Sequence, residues 1–168
     1  MNNIDEPVFE LEFEKNDIIS SKDPELAQRI MQLVSGQPFA VLCTQGESQP
    51  YASLIAYAFT DDLKRFYFST PVATRKYHLL IHCKRVALMI DNRCQHPDDM
   101  TRIEAITVTG RAEHIESGDA YQDGKDLLKM RHSYLRQFVD AESTALFKIE
   151  VVRYFHVTQF QGVSQWIP

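Results

Sequence analysis

Phe66-Tyr67-Phe68-Ser69-Thr70-Pro71-Val72-Ala73-Thr74-Arg75-Lys76-Tyr77-His78 is the stretch from which the fold can be read. Arg65–Ser69 is a strand by composition, with Phe66 and Phe68 on one face and Tyr67 on the other. Thr70-Pro71 interrupts it, because proline has no N–H to give to a ladder. A short helix from Thr74 to about Cys83 follows, with the Thr74 hydroxyl as its N-cap. Arg75 and Lys76 then fall in the first turn, where the helix dipole disfavours cations by about 0.3–1 kcal/mol. A bound anion reverses that sign, since a phosphate there meets free backbone N–H groups, hydroxyls and two positive charges together. A solvated surface pair that tolerates the dipole is the alternative. These residues alone leave both readings open.

On the N-terminal side, residues 1–20 carry no pattern and read as an arm. Asp23-Pro24 opens a helix, Leu26, Ile30, Leu33 and Val34 share one face, and Gly36 ends it. Phe39–Thr44 is a short apolar run, Gln45-Gly46-Glu47-Ser48 a turn, and Tyr51–Thr60 a second strand. Asp61-Asp62 turns the chain into Arg65–Ser69, and two successive hairpins imply an antiparallel sheet. On the C-terminal side, Val86–Asp91 is a nearly wholly apolar strand, followed by a polar loop from Asn92 to Arg102. Ile103–Ile115 is a long strand in which Gly110 marks a bulge or bend. Residues 119–140 are helical by pattern, with Leu127, Leu128, Leu135 and Phe138 facing inward. Leu146–Val157 is a final strand, and residues 158–168 form a tail. Some six antiparallel strands with helices set between them predict a small closed or half-closed barrel, α+β in class and mainly β.

The length of 168 residues (19.4 kDa) fits a single domain over 1–168. The net charge of −5 lacks the basic excess of a duplex-binding surface, so no nucleic-acid partner is expected. Three cysteines, Cys43, Cys83 and Cys94, do not form the dense even pattern of a disulfide scaffold. No apolar run approaches the ~20 residues of a membrane span, and the acidic start lacks a signal-peptide pattern. The expectation is a cytoplasmic protein with no membrane partner.

The string Ser69-Thr70, Thr74-Arg75-Lys76 and His78 resembles the phosphate-binding segment of the pyridoxamine 5′-phosphate oxidase-like FMN-binding split-barrel proteins. The order of elements is similar from about Gln37 to Gly162. The resemblance implies a six-stranded antiparallel split β-barrel with flanking helices and FMN as cofactor. It assigns the FMN phosphate to Thr70, Thr74, Arg75 and Lys76, with Ser69 lining the same edge. Tyr51–Tyr57 resembles the strand beneath the isoalloxazine, which makes Ser53 and Ile55 flavin contacts, and Phe160 is a further cofactor residue. It also implies a homodimer with flavin at the interface. The chain departs from the oxidase itself at two places. Ala105 stands where the oxidase carries a flavin-binding glutamine. After Phe160-Gln161-Gly162, the run Val163-Ser164-Gln165-Trp166-Ile167-Pro168 lacks the Arg-x-His that grips the vitamin phosphate. The implied function is a flavin-dependent oxidoreductase acting on another small molecule, with NADH or NADPH as a candidate electron donor. A non-enzymatic flavin carrier or sensor, a haem-binding or haem-degrading protein, and a deazaflavin in place of FMN are the rival readings.

Other constellations are weaker. His78 and His82 lie four apart on the short helix, near Cys83, Cys94 and His96, but no glutamate follows the first histidine and the spacing matches no structural zinc site. No metal is expected; haem ligation by one histidine is the residual option. Cys43 or Ser53 could be imagined in a nucleophilic triad, yet a cysteine in an apolar strand behaves more often as a small hydrophobe. Lys125, Lys129, Arg131, His132 and Arg136 read as a solvated helix face. No catalytic acid or base is assigned. Trp166 is available for stacking on a flavin or for an interface.

Overall fold

The computed structural model describes residues 23–46, 48–158 and 162–168. The N-terminal arm expected over residues 1–20 lies outside them. In chain order the elements are α1 (Pro24–Gly36), β1 (Phe39–Gly46), β2 (Gln49–Ala56), β3 (Ala58–Phe59), β4 (Arg65–Pro71), α2 (Arg75–His82), β5 (Arg85–Asp91), β6 (Ala105–Ile115), α3 (Asp119–Arg131), α4 (Arg136–Asp140), β7 (Thr144–Thr158) and β8 (Gly162–Trp166). The strands form one antiparallel sheet in the order β2-β1-β5-β6-β7-β4-β3, with β8 added to the C-terminal half of β7. The sheet curls into a half-barrel flanked by the four helices. Eight strands replace the expected six because Tyr51–Thr60 divides at Tyr57 and because Gly162–Trp166, within the tail, folds back onto β7.

The division at Tyr57 sets the shape of the molecule. β2 is one end of the strand order and β3 the other, yet only Tyr57 separates them in sequence. The chain therefore leaves β1 and joins β4 within one residue, which closes the barrel at that point and leaves β2 and the end of β4 unpaired with each other. A residue outside the ladder needs partners for its polar groups. The Tyr57 carbonyl accepts from His132 Nε2 at 2.8 Å, and its hydroxyl lies 2.8 Å from the carbonyls of both Val34 and Gln37. His132 leaves helical geometry to make this bond, with φ −128° and ψ 73°. The helix expected over 119–140 accordingly breaks there into α3, a 3₁₀ turn at Ser133–Leu135, and α4.

Two apolar layers hold the elements. Inside the barrel, Phe66, Phe68, Leu88, Ile106, Val108 and Phe147 pack with Ile30 and Val34 of α1. On the outer face, Tyr67 and Leu146 meet Leu128 of α3 and Val139 of α4. Gly110 is the predicted irregularity: the β6–β7 register shifts between Thr109 and Gly110, which leaves Val152 as the extra residue. A Cβ at Gly110 would sit 2.6 Å from the Glu150 carbonyl, so only glycine admits the close approach of the strands. No helix among the described residues is long and apolar enough to cross a membrane.

Candidate functional site

The split between β2 and β4 brings together the residues singled out from the sequence. β2 pairs on one side only, with β1, and Phe68–Pro71 of β4 extend past the two-residue pairing with β3. Both lips therefore present backbone groups outside the ladder, the feature that lets a strand edge take up a ligand. Ser53 and Ile55 lie on the β2 lip, and Ser69 and Thr70 on the β4 lip.

At the end of β4 the Thr70–Thr74 segment is fixed by its hydroxyls. Thr74 Oγ1 accepts from the Tyr77 amide at 3.3 Å, which makes Thr74 the N-cap of α2 as its sequence position predicts. The same hydroxyl donates to the Pro71 carbonyl at 2.9 Å and lies 2.9 Å from Thr70 Oγ1. Since its one proton goes to Pro71, Thr70 donates to Thr74 and keeps its own lone pairs. Thr70 is 1% exposed.

The first turn of α2 contains no acidic residue. The exposed Arg75 places its guanidinium 5.4 Å from the centre of the Tyr51 ring. Lys76 Nζ crosses the split to donate to the Leu54 carbonyl at 3.3 Å. Burial holds the Lys76 ammonium below the usual lysine range. Among the described residues neither cation has a carboxylate partner. Two cations at a helix N-terminus, one of them desolvated against a neutral carbonyl only, form an electrostatic arrangement that an anion completes.

Strand alternation sends Ser69 to the opposite face from Thr70. Its hydroxyl is buried, without a hydrogen-bond partner among the described residues, in a hollow of about 260 Å³ lined by Leu54, Ile55 and Ala56 of β2 and by Tyr134 and Phe138 of the helical layer. Ser53 Oγ is likewise buried and unpartnered. Buried hydroxyls are nearly always hydrogen-bonded, so two orphans on the lips of one split are an unusual pair. Tyr51, Leu54 and Tyr134 had not been identified from sequence. Only the fold reveals them, as apolar side chains at its surface: Leu54 is 65% and Tyr134 67% exposed. Phe160 lies outside the described residues, and Ala105, which the resemblance sets against the oxidase glutamine, is the first residue of β6, two residues after the expected start of that strand.

His78 lies on α2 with its ring edge-on to Tyr77, and the His132 ring packs against Phe39 and Tyr134 of the hollow. His82 Nδ1 bonds the His78 carbonyl at 2.7 Å, and His132 and His156 use their Nε2 atoms on Tyr57 O and Glu104 Oε2. Among the described residues no group of three His, Cys, Asp or Glu side chains is placed to hold a metal. The exposed Cys43 has its thiol pKa pushed up by burial of the sulfur's surroundings, the opposite of an activated nucleophile.

The family described as pyridoxamine 5′-phosphate oxidase matches residues 26–158. No functionally curated protein matches the chain. Among solved structures, the fold is similar to a heme binding protein from Mycobacterium smegmatis, with TM-score 0.77 and 17% identity over 86% of this chain. The present chain spans only 59% of that one. A protein related to general stress protein 26 from Clostridium acetobutylicum, of the pyridoxinephosphate oxidase family, gives TM-score 0.66 at 16% identity, covering 86% of this chain and 96% of that one. HutZ, the heme storage protein from Vibrio cholerae, gives TM-score 0.66 at 12% identity, covering 75% and 89%.

Proposed function

The chain belongs to the pyridoxamine 5′-phosphate oxidase family, and we propose that it is an FMN-binding member of that family, an oxidoreductase acting on a small molecule other than a vitamin phosphate. The observation that carries this reading is the pair Arg75 and Lys76 at the capped start of α2, without a carboxylate partner among the described residues, beside an open sheet split. Arg75, Lys76 and the amides of the first turn would hold the phosphate, and the Thr70 and Thr74 hydroxyls would join them by turning their protons from Thr74 Oγ1 and the Pro71 carbonyl to the anion. Ser53 and Ile55 on one lip and Ser69 on the other would flank the ring, with the apolar hollow at Leu54, Tyr134 and Phe138 against its uncharged part. When bound, the flavin supplies the two-electron chemistry. The chain's own residues bind, orient and desolvate. Among the described residues no side chain at the split is assigned as a catalytic acid or base, and the C-terminal run Val163–Pro168 carries no cation to anchor a phosphorylated substrate.

A homodimer completes this site. Phe39, Leu54 and Tyr134 expose apolar surface around the hollow (44%, 65% and 67%), which a second copy would cover together with the unpaired β2 edge. Haem is the second reading, because two proteins of similar fold are haem proteins by description. The split favours flavin over haem: Arg75 and Lys76 stand beside it to meet a phosphate, and His132, which packs against Phe39 and Tyr134 of the hollow, has its Nε2 committed to the Tyr57 carbonyl.

The deciding experiment is the absorbance spectrum of the purified protein, with mass analysis of what heat releases. Flavin bands and released FMN support the reading. A Soret band, or a protein that ignores added FMN, overturns it. Light scattering of the FMN-loaded protein should give about twice 19.4 kDa; a monomer that holds FMN tightly removes the dimer from the proposal.

A further inference from the structure

A second cavity, of about 700 Å³, lies between α1 and the loop that joins β5 to β6. It shares no lining residue with the hollow at the split. Arg29 reaches it from α1 and Arg102 from the loop, with Glu104, Gln32, Asn92 and Gln95 completing the polar wall. Among the described residues neither guanidinium has an ion-pair partner. Hydrogen bonds from Thr101, with help from Arg102, hold the Asp99 carboxyl below the usual range, and the carboxylate in the cavity wall is committed elsewhere. Glu104 Oε2 accepts from Nε2 of His156, which is 2% exposed, at 2.9 Å. Its backbone is fixed as well: the Glu104 amide donates to Asn92 Oδ1 at 2.8 Å, and the Asn92 amide donates to the Glu104 carbonyl at 3.2 Å. Glu104 is thus held in place before any ligand arrives, with its second carboxylate oxygen unengaged among the described residues.

A fixed carboxylate beside two guanidiniums that do not fold onto it has a definite complement. Each guanidinium fork matches a carboxylate with two parallel hydrogen bonds. A held carboxylate oxygen accepts from an ammonium. We propose that this cavity is a binding site for a dicarboxylic α-amino acid, its two acid groups on Arg29 and Arg102 and its ammonium on Glu104. The charge of the site, two positive and one negative, mirrors that of the ligand, two negative and one positive. Preorganisation of Glu104 by His156 and Asn92 keeps the ordering cost of binding low. The proposal is independent of which cofactor the split carries.

The test is calorimetry and amide-shift NMR on the full-length protein, with L-glutamate and L-aspartate as probes. Glutarate lacks the ammonium, L-glutamine lacks one acid, and inorganic phosphate is a bare anion. Saturable binding of glutamate or aspartate is expected, with shifts in the Arg29–Gly36 and Asn92–Glu104 amides and none at Thr74–Tyr77. Arg29→Ala and Arg102→Ala, at exposed positions, should each weaken that binding tenfold or more. Glu104→Gln should erase the preference for glutamate over glutarate. No saturation below about 10 mM, or phosphate or glutarate binding as well as glutamate at the same amides, overturns the proposal. Because Arg102 is exposed and hydrogen-bonds nothing in the core, its variant decides the matter even if the Glu104 variant fails to fold.

Discussion

Removing Arg75 and Lys76 distinguishes a phosphate site from a solvated cation pair, because the two differ in sign as well as size. In the free protein both cations sit at the positive end of the α2 dipole, in a first turn without an acidic residue. Each loss should therefore leave stability unchanged or raise it by a few tenths of a kcal/mol. Lys76→Ala also gives up one hydrogen bond to the Leu54 carbonyl at 3.3 Å, but it relieves the partial burial of an ammonium, and these two effects oppose each other. With FMN bound the balance inverts. Each charge-assisted contact to the phosphate is worth about 1.5–3 kcal/mol, or about one to two powers of ten in Kd. The double variant should lose about a hundredfold or more, less than the product of the single effects because the two cations share one anion. Riboflavin, which has no phosphate, should lose less than about threefold. The assay is quenching of flavin fluorescence on titration of parent and variants with both ligands, at two ionic strengths, since the FMN effect should shrink with salt. Equal losses for FMN and riboflavin, or no loss for either, would refute the assignment of the phosphate to this helix.

Three further outcomes follow from the geometry. The FMN affinity of the parent should decline as pH rises into a range below that of an ordinary lysine, because burial lowers the Lys76 pKa and deprotonation removes a positive charge from the phosphate; calorimetry in buffers of different ionisation enthalpy should detect proton uptake on binding there, and Lys76→Met should abolish it. Arg131→Ala should destabilise the fold by about 2–4 kcal/mol in denaturant titration, since Arg131 Nη2 caps α1 by donating to the carbonyls of Val34, Ser35 and Gln37 at 2.8–3.1 Å; a loss below about 0.5 kcal/mol would show that this cap contributes little. Gly124→Ala should also destabilise, by about 1–2 kcal/mol, although alanine is the better helix former by about 1 kcal/mol: the added Cβ would lie 2.5 Å from Cδ1 of the buried Tyr67 ring, and a gain in stability would mean that this ring yields freely.

The features legible in the chain are those that local chemistry sets. The Asp23-Pro24 start of α1, the Thr74 cap, the two cations of the first turn and the irregularity at Gly110 depend on residues within a few positions of one another, and each is found where the pattern places it. The alternation of Phe66, Tyr67 and Phe68 likewise separates the two faces of β4, both of which the fold buries: the phenylalanines inside the barrel and Tyr67 under the helices. Where the sequence stayed ambiguous, the deciding partner lies far along the chain. Tyr51–Thr60 reads as one strand because all its residues favour strands. It divides at Tyr57 because β1 and β4 claim its two halves, and His132, Val34 and Gln37 satisfy the polar groups this leaves. Ser69 and Thr70 are neighbours in sequence, but the pleat points one into the apolar hollow and the other at the helix cap, so one string of hydroxyls serves two ends of the split. Arg131 and His132 look like part of a solvated helix face, yet both are committed to backbone carbonyls that only the folded chain brings near. Periodicity and capping are written in neighbouring residues, whereas the groups outside a ladder find partners 20 to 94 residues away, which no local pattern can specify.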